Sequence, residues 1–497
     1  MEENKIVFQL SKSTFLRGKQ CLKSLFLNKF YKHLRDKISE EKKAIFKRGT
    51  DIGLLAQQLF PEGINATPVK SFDYASSISV TQKALQKEEV VIYEATFVYQ
   101  EVLMAADVFV KKNNTFFAYE VKSATKVSET YIWDAALQYY VLKGNGILLN
   151  DFFIITINSS YIRKGNLEIE KLFTRTSVIK EVIALQEQIE QSVQQFKQVL
   201  SAAEIPTVQI GTHCTSPYEC DFMGYCWKEV PEGSVFELSN TNNTNMAEMY
   251  YSGIKRIAEL PDNFECTAIQ KVQIKAEKDQ TDVMNEEALR YFTDKLIYPL
   301  YFVDFETFMP TIPIYDNTHP FQHLPFQFSI HLIHHVGEEA IHSDFVAFPG
   351  ADPRKEFIEE LIKQIGTQGA VLVYNAQFER SVLNALAKNF PQYLAPINSI
   401  MERIVDLMEP FRKREFYFLE MRGSHSIKKV LPAVFKEMHY KQLAISNGNE
   451  ASRVYENLRG ETDIFKIEET IQNLKEYCKL DTLAMVKIVE FLQKITK

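Results

Sequence analysis

The sequence predicts an α/β protein of at least two domains, and three observations lead there. The chain has 497 residues, more than one hydrophobic core usually serves. Apolar strand-like and helix-like runs alternate in both halves of the chain. The composition, 45% apolar with 12% aromatic, is ample for real cores. No run reaches the roughly 18 apolar residues of a membrane span. The opening Met1-Glu-Glu-Asn-Lys5 does not read as a signal peptide, so a cytoplasmic location is expected. The net charge of −7 neither advertises nor excludes a nucleic-acid partner, because distribution matters more than the sum. From Lys12 to Lys37, eight Lys or Arg accompany one acid; this is a solvated helix face or a phosphate-contacting surface. The expected division is 1–235, a linker and helical connector over 236–297, and 298–497.

Taken in order, Ser11 or Ser13 caps an opening helix that carries Cys21 and continues through Phe30. A second helical stretch begins at Arg48 and ends near Pro61. Strands follow over 90–99, 103–110 and 115–123, with Asn113-Asn114 as the hairpin turn between the last two. Glu120 and Lys122 alternate onto one face. Such a pair is common on exposed strands. Here Asp107 sits on the preceding strand, Glu94 lies upstream, and Gln138-Tyr-Tyr falls on the next helix.

That set resembles the RecB-like branch of the PD-(D/E)xK nucleases over about residues 5–230. The resemblance implies a restriction-endonuclease-like core in which Asp107 and Glu120 bind magnesium or manganese. Lys122 would orient the attacking water or stabilise charge at the phosphate. Glu94 would be an additional acid and Gln138 an accessory polar residue. The chain departs from the pattern twice. An early-helix histidine is not evident, and Gln138-Tyr139-Tyr140 stands in place of Gln-x-x-x-Tyr.

A long amphipathic helix through Val178, Val182, Leu185, Ile189, Val193, Phe196 and Leu200 leads to Cys214, Cys220 and Cys226, separated by equal five-residue gaps. Without secretory context these point to metal or buried thiols rather than disulfides, and Cys21 is the natural fourth. One cysteine before the core and three after it is similar to the iron–sulfur arrangement of RecB-like and CRISPR-associated nucleases. It implies a [4Fe–4S] cluster clamping the N-terminal helix to the later segment. Zinc on four thiolates and plain buried thiols stay open. Cys266 and Cys478 read as ordinary buried cysteines.

Residues 232–245 read as a polar linker, and 249–261 as a helix, a Gly253 turn and a second helix. From Tyr298 a new block begins. An apolar strand over 300–303 delivers Asp304 and Glu306, two apart and therefore on one side. Holding two carboxylates together is costly unless a cation sits between them. Strands are expected over 324–333 and 343–348, and a buried strand over 371–374 leads to a helix opening with Glu379. The stretch 423–432, small and basic ahead of a helix, suits a phosphate at a helix N-terminus; His425 reads as a satisfied loop histidine. On the last helix Tyr477 and Asp481 are four apart and share a face.

Asp-x-Glu, then Asn375-x-x-Phe378-Glu379, then Tyr-x-x-x-Asp resembles the three-motif signature of DEDD 3′-5′ exonucleases in an RNase H-like fold. Glu476 places it with the tyrosine branch. The resemblance implies that Asp304, Glu306, Glu379 and Asp481 hold two divalent ions and that Tyr477 positions the water. Glu379 replaces the usual aspartate, and Asp406 is the alternative ligand. Both halves together resemble a family of uncharacterised bacterial proteins recurrent in mycoplasma-like and other small-genome bacteria. The shared features are Glu120-Val-Lys-Ser, Cys226-Trp227, Val303-Asp-Phe-Glu-Thr and Tyr477-x-x-x-Asp-Thr. The expectation is a divalent-metal-dependent nuclease, exonucleolytic, acting on DNA ahead of RNA. Helicases or repair and defence proteins are the further partners, and no membrane is involved. The alternative is a nucleic-acid-binding scaffold in which one or both cores are non-catalytic.

Overall fold

The computed structural model describes residues 8–70 and 72–497. The Met1–Lys5 reading and the first residues of the 5–230 match lie outside the described residues. The chain divides into two units. One runs to Glu229 and adds Thr311–Pro320; the other is Val230–Pro310 with Phe321–Lys497. Both are mixed α/β. Among the described residues no helix is long and apolar enough to cross a membrane.

The first unit is built on seven strands: β1 (Leu10–Ser11), β2 (Ile64–Asn65), β3 (Val90–Tyr99), β4 (Val102–Lys112), β5 (Thr115–Val121), β6 (Asp151–Ile157) and β7 (Phe173–Ser177). Their order is β2-β3-β4-β5-β6-β7, with β1 pairing parallel to the start of β4. β3, β4 and β5 form an antiparallel meander. The β4–β5 turn is made by Asn113 and Asn114, both at positive φ, the two-residue hairpin form that asparagine tolerates. After β5 the helix Glu129–Gly144 crosses over so that β6 returns parallel to β5. The core joins Ile92, Met104, Phe109 and Phe152 of the sheet to Leu137 and Val141 of that helix and to Val193 and Phe196.

Two expected helices are broken. The opening helix, capped by Ser11, ends at Gln20, and extended Cys21 starts a second one, Leu22–Phe30. The amphipathic stretch divides at Leu185 into Ile179–Ala184 and Gln186–Ser201. Gly18 permits the first of these arrangements. A Cβ there would meet the Phe196 ring at 2.8 Å, so only glycine lets the opening helix lie this close to the core.

The second unit holds β8 (Val283–Met284), β9 (Leu300–Phe308), β10 (Leu324–Ile333), β11 (Ile341–Val346), β12 (Ala370–Val373), β13 (Ile404–Asp406) and β14 (Phe416–Tyr417). β8 and β14 make a separate pair; the main sheet has the order β11-β10-β9-β12-β13. β10 is antiparallel to β9 and β11, while β12 is parallel to β9 and β13. Period-two alternation splits β9 between two cores. Leu300 and Phe302 join Met485, Ile488 and Leu492 of the long helix Ile464–Ile495. Tyr301, Val303 and Phe305 join Phe357, Val382 and Leu386 on the other face. The polar stretch at 232–245 is not plain linker: Val235 and Leu238 are buried, and Asn242 caps a helix, Asn243–Tyr251. The second helix expected before Pro261 is a single 3-10 turn, Ile257–Glu259.

Candidate functional site

In the first unit the strand register sets the chemistry. Tyr93 pairs with Val108 and Ala95 with Ala106, so Glu94 stands opposite Asp107. Continuing the β4–β5 register puts Asp107 opposite Glu120. Three acids therefore line one row across three strands. Glu94 is held at positive φ, a conformation glutamate adopts only under constraint.

Two lysines of the chain itself reach this row. Lys122 Nζ donates to Glu120 Oε1 and Asp134 Oδ2, each at 2.7 Å. Gln138 Nε2 donates to Glu120 Oε2 at 2.7 Å and to Asp134 Oδ1 at 3.2 Å. Asp107 Oδ2 accepts from Val121 N at 2.6 Å. Lys12 Nζ, at the start of the opening helix, donates to both Glu120 oxygens at 2.9 and 2.8 Å and to Ala105 O at 3.1 Å, and lies 4.0 Å from Asp107 Oδ1. Burial pushes Glu120 up to about 7, Asp107 and Asp134 adding to the rise and the two lysines opposing it. Asp134 goes the other way: burial would raise it, but Lys122 and Lys12 hold it below the usual carboxylate range. All the residues expected from sequence, Glu94, Asp107, Glu120, Lys122 and Gln138, meet here. Lys12 and Asp134 were not foreseen. Asp134 carries a signal, four residues before Gln138 on one helix face. Lys12 carries none, because its reach depends on the Gly18 packing.

The four cysteines come to one narrow cavity, shared with Ser24, His213, Phe222 and Trp227. Cys21 Sγ accepts from Ser24 N at 3.5 Å, and Cys220 Sγ lies 3.6 Å from Ser24 Oγ. Burial pushes the thiols of Cys21 and Cys226 up, with neighbouring cysteines adding to it. Among the described residues no three of these sulfurs lie within 4.8 Å of one another. The two ends are also tied without any metal: Arg17 and Arg35 both reach Asp221 Oδ2, at 2.6 and 2.5 Å.

In the second unit Asp304, Glu306 and Asp481 present carboxylate oxygens that all lie within 4.8 Å of one another. Asp304 and Glu306 continue the β9 face that carries Leu300 and Phe302, which is the face packed by the long helix bearing Tyr477, Cys478 and Asp481. Tyr440 Oη donates to Asp481 Oδ1 at 2.7 Å. Cys478 Sγ lies 3.3 Å from Asp304 Oδ2, so it is buried as expected but faces the acids. Cys266, by contrast, is exposed rather than buried. Glu379 sits in the first turn of Ala376–Asn389, buried, its Oε2 without a hydrogen-bond partner. Asp406 is occupied elsewhere: its Oδ1 accepts from Asn375 N at 3.1 Å and Met408 N at 3.0 Å.

Burial and mutual repulsion outweigh Lys428, which opposes them at Asp304, Glu306 and Asp481. Burial, then Asp481, lifts Asp304 well above its ordinary value; burial, then Asp304 and Asp481, does the same to Glu306. Glu379 is raised by burial and by Asp304. Asp481 is pushed up to about 6 by burial, against the hydrogen bond from Tyr440. Tyr477 is buried against Asp481, Glu306 and Asp304, and its hydroxyl is held far into its protonated form, by burial first. The Gly448 backbone, opening the helix Gly448–Leu458, comes so close that a Cβ would sit 3.4 Å from Glu306 Oε2. Buried carboxylates that repel one another and leave an oxygen unpaired fit the donor set of a hard divalent cation. Tyr440 and Gly448 were not foreseen; neither lies in a strand motif.

Comparison with known proteins covers part of this region. Residues 301–426 match the family model of a domain of unknown function, DUF2779; the match includes Asp304, Glu306, Glu379 and Asp406. The chain is 29% identical over 220 residues to the uncharacterized protein UU173 of Ureaplasma parvum serovar 3, covering 39% of this chain and 31% of that one. It is 25% identical over 210 residues to the uncharacterized protein MG366 homolog of Mycoplasma pneumoniae, covering 39% and 32%. The similarity thus spans about a third of the length of the curated relatives, and each of them carries the same label, uncharacterized.

Proposed function

We propose that the protein is a divalent-metal-dependent nuclease that hydrolyses phosphodiester bonds of DNA ahead of RNA, exonucleolytically, with its working centre in the second unit. The observation that carries this is the convergence of Asp304, Glu306 and Asp481 within 4.8 Å. The sheet supports it too: an antiparallel trio, β9 to β11, extended past β9 by parallel β12 and then β13, suits an RNase H-like reading. A magnesium or manganese ion bound there would supply Lewis-acid stabilisation of the attacking and leaving oxygens. Asp304, Glu306 and Asp481 would hold it, and Glu379, with its free oxygen, is the fourth acid. Tyr477, kept protonated, would donate a hydrogen bond to the attacking water and orient it. Tyr440 fixes the Asp481 carboxylate.

The first unit supports a second core of the restriction-endonuclease type, with the β3–β5 meander, the crossover helix and the row Glu94, Asp107, Glu120 beside Lys122. One observation favours the non-catalytic alternative for that unit: Lys12 already lies on Glu120 and near Asp107, where a metal would bind. The four cysteines that line one cavity are the donor set a [4Fe–4S] cluster or a zinc ion would take.

The test is cleavage of a labelled single-stranded oligonucleotide by the full chain with magnesium or manganese. Asp304→Asn is expected to lower the rate on the order of 10³-fold, the loss of about 4 kcal/mol of charge stabilisation. If the wild-type chain cuts neither DNA nor RNA, the proposal fails.

A further inference from the structure

A cavity of about 560 Å³ opens beside the acid cluster of the second unit. Lys428, Lys429, Lys436, His439, Tyr440 and Ser446 line it, over Pro432 and Ala433. Its one carboxylate, Glu420, pairs with Lys436 at 3.7 Å. Lys429 is exposed and has no acidic partner among the described residues. His439 Nδ1 is buried without a hydrogen-bond partner.

The cavity shares a wall with the acids. Tyr440 lines it and donates to Asp481. Lys428 lines it with its Nζ 5.2 Å from the ring centres of both Tyr440 and Tyr477, anchored by donating to Ser446 O at 2.8 Å. A strongly positive concavity thus abuts a strongly negative one. Buried acids by themselves repel a polyanion. Lysines on the adjoining wall reverse that locally, and they grip phosphate without reading sequence. The volume lies within the range of sites that enclose a small ligand. A space of about 560 Å³ has room for a stretch of one flexible strand and none for the rigid cylinder of a duplex.

We propose that this cavity holds the phosphate backbone of a single-stranded nucleic acid next to the phosphodiester that meets Asp304, Glu306 and Asp481. The inference rests on the nuclease reading for its substrate but not for its test. The helix N-terminus at Ile427 is not what makes the site; the side chains of Lys428, Lys429 and Lys436 are.

The experiment measures anisotropy of a fluorescein-labelled single-stranded DNA oligonucleotide, and of its RNA counterpart, over a salt series. It uses the full chain carrying Asp304→Asn, so that nothing is cut. Adding Lys429→Ala and Lys436→Ala, both on exposed side chains, should reduce the slope of log Kd against log salt by about 1.4, at about 0.7 per phosphate contact for a single strand. The sugar whose arm changes more is the one the cavity takes. A circular dichroism melt confirms that the fold is kept. An unchanged slope and affinity in both arms overturns the proposal, even if the wild-type chain cleaves. A reduced slope upholds it, even if cleavage fails and the nuclease reading falls.

Discussion

Each unit gathers four carboxylates around a sheet, and the two differ in what balances them. In the first, Glu94, Asp107, Glu120 and Asp134 meet Lys12 and Lys122, both at hydrogen-bond distance from Glu120. In the second, among the described residues, Lys428 is the lysine within electrostatic reach of Asp304, Glu306 and Asp481, and it donates to Ser446 O instead. The same sequence feature, acids on an apolar strand, therefore has two meanings. Under the proposed function it calls for an external cation where the chain brings fewer lysines to the acids.

The largest effect that would break this contrast is on stability. Glu120 receives Lys12, Lys122 and Gln138, so Glu120→Gln takes one counter-charge from both lysines and leaves Lys122 with Asp134 and Lys12 near Asp107. The first unit should lose about 1–3 kcal/mol, the scale of hydrogen bonds to charged groups. Both tryptophans, Trp133 and Trp227, lie in that unit, so a fluorescence-monitored denaturant titration reads it directly. A loss near zero would mean the network is not holding the unit together.

pH comes next and moves both units the same way, since Glu120 of the first is raised as well. Asp481 is raised to about 6, and Asp304, Glu306 and Glu379 are raised in the same direction. A carboxyl raised on folding keeps its proton in the folded chain after the unfolded chain has released it. Its contribution is full below the unfolded value, near 4, and is lost as pH rises to about 6. The metal-free second unit should therefore melt roughly 5 °C lower at neutral pH than at pH 5, and excess magnesium should remove the difference. A melting temperature that rises over this interval would contradict the assignment.

The smallest effect has the opposite sign to the first. Asp304→Asn removes one of several repelling acids, so in the absence of metal it should stabilise the second unit by about 1 kcal/mol. Circular dichroism read beside the fluorescence melt separates the units. A destabilisation comparable to that of Glu120→Gln would erase the contrast.

Much of this was legible in the sequence, for identifiable reasons. Apolar runs announced β3, β4, β5, β9 and β10, and a charge on such a strand is conspicuous, so Asp107, Glu120, Asp304 and Glu306 stood out. Helical spacing tied Tyr477 to Asp481. Residues whose role depends on packing between distant segments stayed hidden. Lys12 reaches Glu120 because Gly18 lets a helix lie against Phe196. Tyr440 meets Asp481 from an irregular stretch with no period to read. Cys266 and Cys478 looked alike, yet one is exposed and the other touches Asp304; a lone cysteine carries no pattern that predicts its surroundings. The break at Cys21 was equally silent, since the residues on both sides are helix formers.

The most direct measurement is a calorimetric titration of manganese into the wild-type chain, Asp304→Asn and Glu120→Gln at neutral pH. Binding heat should persist in Glu120→Gln and be largely lost in Asp304→Asn, because the second unit takes the external cation. Manganese binding by Asp304→Asn with wild-type affinity and stoichiometry would show that the acid cluster does not hold the metal, and the account would fail at its centre.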